Sequence, residues 1–262
     1  MAKPLHAGLA AKAGVLSASL AAEGVTASPD VLDGGWSLLT LMAGPEAAGF
    51  DGPLKDLGDP LAIESYGLVV KPYPCCGYIH GTLDGVLDLR RAEALSATDI
   101  TGVTSRIPAR NAEILRYPRP EDPMQARFSL PYCTTVAVLH GAVTVADFTP
   151  EAVARPEVRA WLPKVTLETH PIHVKSGDLA CLEPSVVTLR LADGEERRIE
   201  VEHPRGTPAR PLSEAEMSRK FQSCAAGALG TEKAAAAEAA VADLEGLADI
   251  GELLRRFQLA PN

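Results

Sequence analysis

Ten consecutive residues, Lys71-Pro72-Tyr73-Pro74-Cys75-Cys76-Gly77-Tyr78-Ile79-His80, put an ammonium, two thiols and an imidazole into one short stretch. Pro72 and Pro74 hold the backbone extended and stiff. A lysine at the head of such a segment can point into a cleft with little ordering cost, or it can be a solvated lysine before a proline turn. A reactive thiol needs an electropositive setting, and Lys71 supplies only a hint of one, so Cys75 and Cys76 are read first as packing residues. His80 opens the next helix and either lines the cleft or makes a structural hydrogen bond. Lys3 and His6 stand three apart, so a helix puts both on one face. His6 there relays a proton, holds the lysine or simply caps, and Lys3 on its own reads as a frayed terminal lysine. Arg127 has the fork geometry for a carboxylate but also suits a solvated helix surface.

The elements that must position these residues follow from pattern. Residues 66–70, Tyr-Gly-Leu-Val-Val, are short, apolar and β-branched, which predicts a buried strand ending at Lys71. Ile79, Leu83, Val86, Leu87 and Leu89 then recur at helical spacing. Upstream, an alanine-rich helix runs to about Ala22. A second is predicted from Ser28 as N-cap and Pro29 to Gly44. Residues 45–64, rich in Gly, Pro and Asp, read as a loop ending at a domain boundary. Downstream the pattern predicts a strand over 100–107 and a helix over 123–140 interrupted at Pro131. A helix start at Thr149-Pro150-Glu151, a short helical piece over 155–161 and a strand over 165–168 follow. Residues 186–191 and 198–201 flank Asp193-Gly194 as a hairpin. Ser213 and Glu216 make a capping box, with Leu212 set to staple onto Met217, and alanine-rich helices follow to about Phe257. The fold class is therefore α+β: helical segments at 1–64 and 205–262 belong to one all-α domain, with a mixed α/β lid domain inserted at 65–204.

Hydrophobic residues make up 46% and charged residues 23% of the 262, an ordinary soluble composition. A net charge of -9 argues against nucleic acid or an anionic membrane as partner, while a few clustered cations could still receive a small anion. The five cysteines are odd in number and contain no C-x-x-C pair, which fits reduced thiols in the cytoplasm and gives no zinc site. His140, His170, His173 and His203 show no metal-ligand spacing, so no metal or other cofactor is expected. No signal peptide or apolar run of membrane-span length is read from the sequence.

The stretch from Lys71 to His80 resembles the signature of the 2-methylcitrate dehydratase (MmgE/PrpD) family, which also includes cis-aconitate decarboxylase and an iminodisuccinate epimerase. Lys3-Pro4-Leu5-His6-Ala7-Gly8 resembles a lysine-bearing segment near the middle of family members. The runs Ala126-Arg127-Phe128-Ser129-Leu130-Pro131-Tyr132 and Pro211-Leu212-Ser213-Glu214-Ala215-Glu216 are similar to two later landmarks. Four landmarks in order cover the later part of the family's pattern. Members also carry a large N-terminal helical region with further acidic and histidine site residues. Nothing in this chain corresponds to that region, which predicts a separate chain supplying that half, a truncated remnant or a fragment. The decarboxylase members have a histidine where this chain has Cys76, which weighs against that branch.

What the resemblance implies is proton chemistry next to a carboxylate. Family enzymes labilise such a proton and then lose water, lose carbon dioxide or return the proton to the other face. The implied activity is metal-independent dehydration of a small hydroxy polycarboxylate such as 2-methylcitrate, with an epimerase, a decarboxylase or a non-catalytic subunit as rivals. Lys3 and Lys71 would share a cleft and lower each other's pKa, one clamping a carboxylate and the other moving a proton. His6 would assist, and Cys76, His80 and Arg127 would line the substrate. The implied partners are the polycarboxylate and a second chain, as homodimer or as heteromer with the helical half.

Overall fold

The computed structural model describes residues 2–32, 37–44, 57–171 and 184–258. The chain divides into two compact units, Met1–Ser65 and Tyr66–Asn262.

The first unit is helical. Helix α1, Ala2–Ala22, follows from an alanine and leucine run without an internal breaker. Helix α2 spans only Leu38–Ala43. The predicted start at Ser28 is corrected: residues 29–32 form turns, and Ser37 is the N-cap, its hydroxyl accepting from the Thr40 amide at 3.2 Å. Gly44 ends α2 as expected, at φ +89°. Residues 45–56 of the predicted loop lie outside the described residues. A short helix, α3, covers Ala62–Tyr66. One further expectation changes here. Within α1, Leu5–Ala22 is long and apolar enough to cross a membrane by length and composition, with mean hydropathy 1.2, so an apolar run of span length is present after all.

The second unit mixes helices with a four-stranded sheet. Helix α4, His80–Ala92, is followed by strand β1, Ile100–Pro108. Helices α5 (Ala109–Ile114), α6 (Pro123–Ala126), α7 (Leu130–His140), α8 (Pro150–Val153) and α9 (Pro156–Trp161) form the crossover to strand β2, Val165–His170. Strands β3, Ser185–Leu191, and β4, Glu196–Val201, make the hairpin read from Asp193-Gly194. The sheet order is β2-β1-β3-β4, with β2 parallel to β1 and the other pairs antiparallel. Helices α10 (Glu214–Leu229), α11 (Thr231–Ala242) and α12 (Ile250–Arg256) close the chain.

One predicted element fails for a physical reason. Residues 67–70 are not a strand: they are irregular, and Leu68 and Val69 are exposed. Their β-branched side chains have no sheet to join, and the Val70 amide bonds the Gly206 carbonyl instead, at 2.8 Å. The expected break in the 123–140 run is present, at residues 127–129 between α6 and α7. Pro131 sits in the first turn of α7, where its missing N–H costs nothing, and Ser129 caps the start by accepting from the Tyr132 amide at 3.2 Å.

The core lies between the sheet, α4 and α7. Leu83, Val86 and Leu87 of α4 pack with Val103 and Ile107 of β1, Val136 of α7 and Leu189 of β3. Each such side chain contributes about 1.5–3 kcal/mol by leaving water. Gly81 and Gly85 let α4 approach β3 closely: a Cβ on Gly85 would meet Val187 Cγ2 at 2.7 Å. Thr82 and Ser105 link helix to strand through their buried hydroxyls at 2.6 Å.

Candidate functional site

The stretch from Lys71 to His80 is an open turn that closes through a short 3-10 segment, Gly77–Ile79, onto the head of α4. Backbone contacts pin both ends. The Val70 amide donates to Gly206, which has φ +87° and no room for a side chain: a Cβ there would fall 1.8 Å from the Val70 carbonyl oxygen. At the far end the Cys76 amide donates to the Arg127 carbonyl at 2.9 Å. Lys71 is exposed, and its Cε passes 3.7 Å from the Cβ position of Gly77, so its stem runs over that glycine.

Beneath the turn lies a charged lock. Asp84, on α4 one helical turn after His80, has no solvent exposure. Its carboxylate accepts from Tyr73 Oη at 2.7 Å, from the Arg205 amide at 2.6 Å and from Arg205 Nε at 2.8 Å. Arg205 Nη2 also donates to Tyr73 Oη at 2.5 Å, closing the triangle. Burial, followed by the charge and hydrogen bond of Asp84, pushes the Tyr73 phenol well above its ordinary range, so it stays a neutral donor. Arg210 extends the lock to Asp88 at 2.8 Å.

The thiols pack in the core beside the turn. Cys75 and Cys133 are both buried, and Cys133 donates a hydrogen bond that holds the Cys75 thiol below the ordinary thiol range. Burial opposes that shift; His80, which bonds the same sulfur, and the positive charge of Lys71 reinforce it. Burial drives Cys133 well above its usual value, and the neighbouring Cys75 adds to the rise. The Ala126 carbonyl, 3.4 Å from Cys133 Sγ, is a competing acceptor for its one S–H, and the lowered Cys75 pKa belongs to the state in which that S–H faces Cys75. The His80 ring packs edge-on against Tyr73, 5.2 Å between centroids, and its Nε2 is buried without a hydrogen-bond partner.

The structure thus brings Lys71, Cys76, His80 and the Arg127 backbone together within the second unit. The Arg127 guanidinium itself lies over the Phe148 ring, 5.5 Å from its centroid, and is half-buried there. Lys3 and His6 lie on α1 in the first unit; His6 is exposed, and the Lys3 side chain lies outside the described residues. Cys75 packs in the core as expected, and it is polarised there as well. Tyr73, Asp84, Cys133 and Arg205 were missed. Only Asp84 left a local trace, as a carboxylate on the apolar face of α4 between Leu83 and Val86. His140 and His170 are occupied elsewhere, with Asp147 at 3.4 Å and the Pro184 carbonyl at 3.1 Å; His173 lies outside the described residues. Among the described residues, no group of three His, Cys, Asp or Glu side chains could hold a metal ion.

Curated relatives are similar along nearly the whole chain. Cis-aconitate decarboxylase of Mus musculus is 29% identical over 261 residues, covering 97% of this chain and 51% of the relative. The Homo sapiens enzyme of that name is 29% identical over 258 residues, covering 96% and 52%. That of Aspergillus terreus (strain NIH 2624 / FGSC A1156) is 26% identical over 270 residues, covering 97% and 54%. The chain therefore spans about half the length of the curated relatives it matches. The MmgE/PrpD C-terminal domain matches residues 73–246, from the middle of the turn through the sheet to the last helices. With its lysine-bearing turn leading into a domain matched over that length, this chain belongs to the MmgE/PrpD family.

Proposed function

We propose that this chain carries the lid part of a lyase site for a small polycarboxylate, and that the reaction is dehydration of a hydroxy acid such as 2-methylcitrate. The observation that carries the reading is Lys71: an exposed ammonium on a turn fixed at both ends, backed by the polarised Cys75–His80 pair. Lys71 neutralises a substrate carboxylate, which stabilises the electron pair left when a proton leaves the adjacent carbon. That pair forms the C=C bond, and the β-hydroxyl departs with a proton as water. Half-buried Cys76 lines the substrate side of the turn, and the buried His80 acts on it only through Cys75. Lys3 and His6 are the further residues this reading assigns to the reaction, carried by their family segment.

A second reading is favoured by the names of the relatives. In a decarboxylation of cis-aconitate, the C–C bond to one carboxyl breaks, carbon dioxide leaves and the carbon takes up a proton. Lys71 stabilises the same developing charge. Proton NMR of the native protein, purified with any bound chain retained, distinguishes the two. Incubated with 2-methylcitrate, it is expected to give the unsaturated acid formed by loss of water. Conversion of cis-aconitate to a five-carbon acid, with 2-methylcitrate untouched, would replace the first reading with the second. Lys71→Ala is expected to lower kcat/KM by about 10²–10³-fold, the scale of one charge-stabilising group. Turnover of neither acid would leave an epimerase of a similar acid or a non-catalytic chain.

A further inference from the structure

On the other side of the turn, its Pro72–Pro74 segment forms one wall of a groove of about 350 Å³. The opposite walls are residues 141–145, after α7, and one face of α10. This volume is at the lower end of small-molecule sites, about 300–1,000 Å³. Leu87, Val143 and Leu212 supply an apolar floor. Around it stand four cations, Arg91, Arg205, Arg219 and Lys220, against one carboxylate, Glu216. A chain of net charge -9 thus concentrates positive charge here.

Two of the four are already committed. Arg205 is held by Asp84 at 2.8 Å, and Arg91 by Asp88 at 3.1 Å. Glu216 is committed too, its Oε2 accepting from the amide and hydroxyl of Ser213 at 2.9 Å each. Arg219 and Lys220 are different: among the described residues, no carboxylate lies within ion-pairing distance of either. They share the face of α10 that carries Glu216 and Ser223, as the spacing of three and four residues requires.

We propose that this groove binds a small organic anion, its carboxylate or phosphate head on Arg219 and Lys220 and a short apolar body on Leu87, Val143 and Leu212. The site is separate from Lys71 and does not depend on the lyase reading. A ligand there abuts Pro72–Pro74, so it braces the turn from behind.

The test is calorimetric titration of the full chain at low salt with butyrate, n-butyl phosphate and n-butanol. Saturable binding of at least one anion is expected, with none of the alcohol, and the better anion identifies the head group. The double variant Arg219→Ser/Lys220→Ser is expected to weaken that binding at least tenfold, while Lys71→Ala leaves it unchanged. Both positions are on the surface side of α10, and an unchanged thermal midpoint shows that the double variant is folded. No saturable binding of either anion, equal binding by the double variant, or loss of binding in Lys71→Ala would each overturn the proposal.

Discussion

At the residue level, the Cys75–Cys133–His80 cluster makes a measurable claim. A thiol below its ordinary pKa presents thiolate at lower pH, so ultraviolet absorbance near 240 nm should show one thiol ionising before the others as pH rises. Cys75→Ser is expected to abolish that early step, and Cys133→Ala to move it upward, since the leading cause is the hydrogen bond from Cys133. The stability sign follows from linkage. The folded pKa of Cys75 lies below the unfolded value of about 8.5, so its contribution is full above that value and is lost as pH falls through the folded pKa. A wild-type titration with no early step would remove the polarised thiol from the site. Asp84 makes a larger claim. Asp84→Ala strands the Arg205 charge and Tyr73 hydroxyl and is expected to cost about 3–5 kcal/mol in chemical denaturation, the scale for breaking a buried pair. Tyr73→Phe, which removes two hydrogen bonds to charged groups, one given to Asp84 and one accepted from Arg205, is expected to cost at least about 1.5–3 kcal/mol. That Lys71, Cys76 and His80 lie close together was legible in the sequence, because a ten-residue stretch holds them. Cys133 and Arg205 were not, because their roles arise only when residues 58 and 121 positions away from Cys75 and Asp84 meet them in space.

At the level of elements, local chemistry read well wherever a turn or cap carried the signal. Ser213 and Glu216 form the capping box of α10, and the Asp193-Gly194 connection closes β3 onto β4 with Gly194 at φ +89°. It read badly where tertiary contacts overrode composition, as in residues 67–70, whose backbone partner is Gly206 rather than a neighbouring strand. The close seat of α4 on the sheet is another tertiary fact, and it can be tested. In Gly85→Ala the new methyl would meet Val187 Cγ2 at 2.7 Å and Ile199 Cγ2 at 3.1 Å, and both sit on strands that cannot shift freely. Overpacking of this kind costs about 1–3 kcal/mol, which is about 2–4 °C in Tm per kcal/mol for a chain of this size. Gly14→Ala in α1 is the control, because nothing lies within 4 Å of its Cβ position. It is expected to gain about 0.5–1 kcal/mol of helix stability instead. Equal and small shifts for the two variants in thermal unfolding by circular dichroism would contradict the close seat of α4.

At the level of the whole molecule, the two units differ in what they bury. The second has a continuous core, while within the first unit the large apolar side chains of α1 are left uncovered: Leu5 is 63% exposed and Leu9 54%. Leu5, Leu9, Leu16 and Leu20 recur at spacings of four, seven and four, which brings all four to one face of α1. A leucine stripe flanked by alanines, with only Lys12 interrupting it, is the pattern of a helix that packs against others. At about 25 cal/mol per Å² of apolar surface, leaving it in water is costly, and contiguous apolar patches of this sort mark interaction surfaces. We propose that the stripe is covered in solution by a second copy of this chain. Sedimentation velocity of the native preparation is expected to show a species heavier than the 27.6 kDa monomer. Leu9→Glu/Leu16→Glu places two charges in the middle of the stripe, and is expected to shift that species to monomer while leaving β1–β4 and α4 folded. A clean wild-type monomer at micromolar concentration would mean that the stripe is not a protein interface.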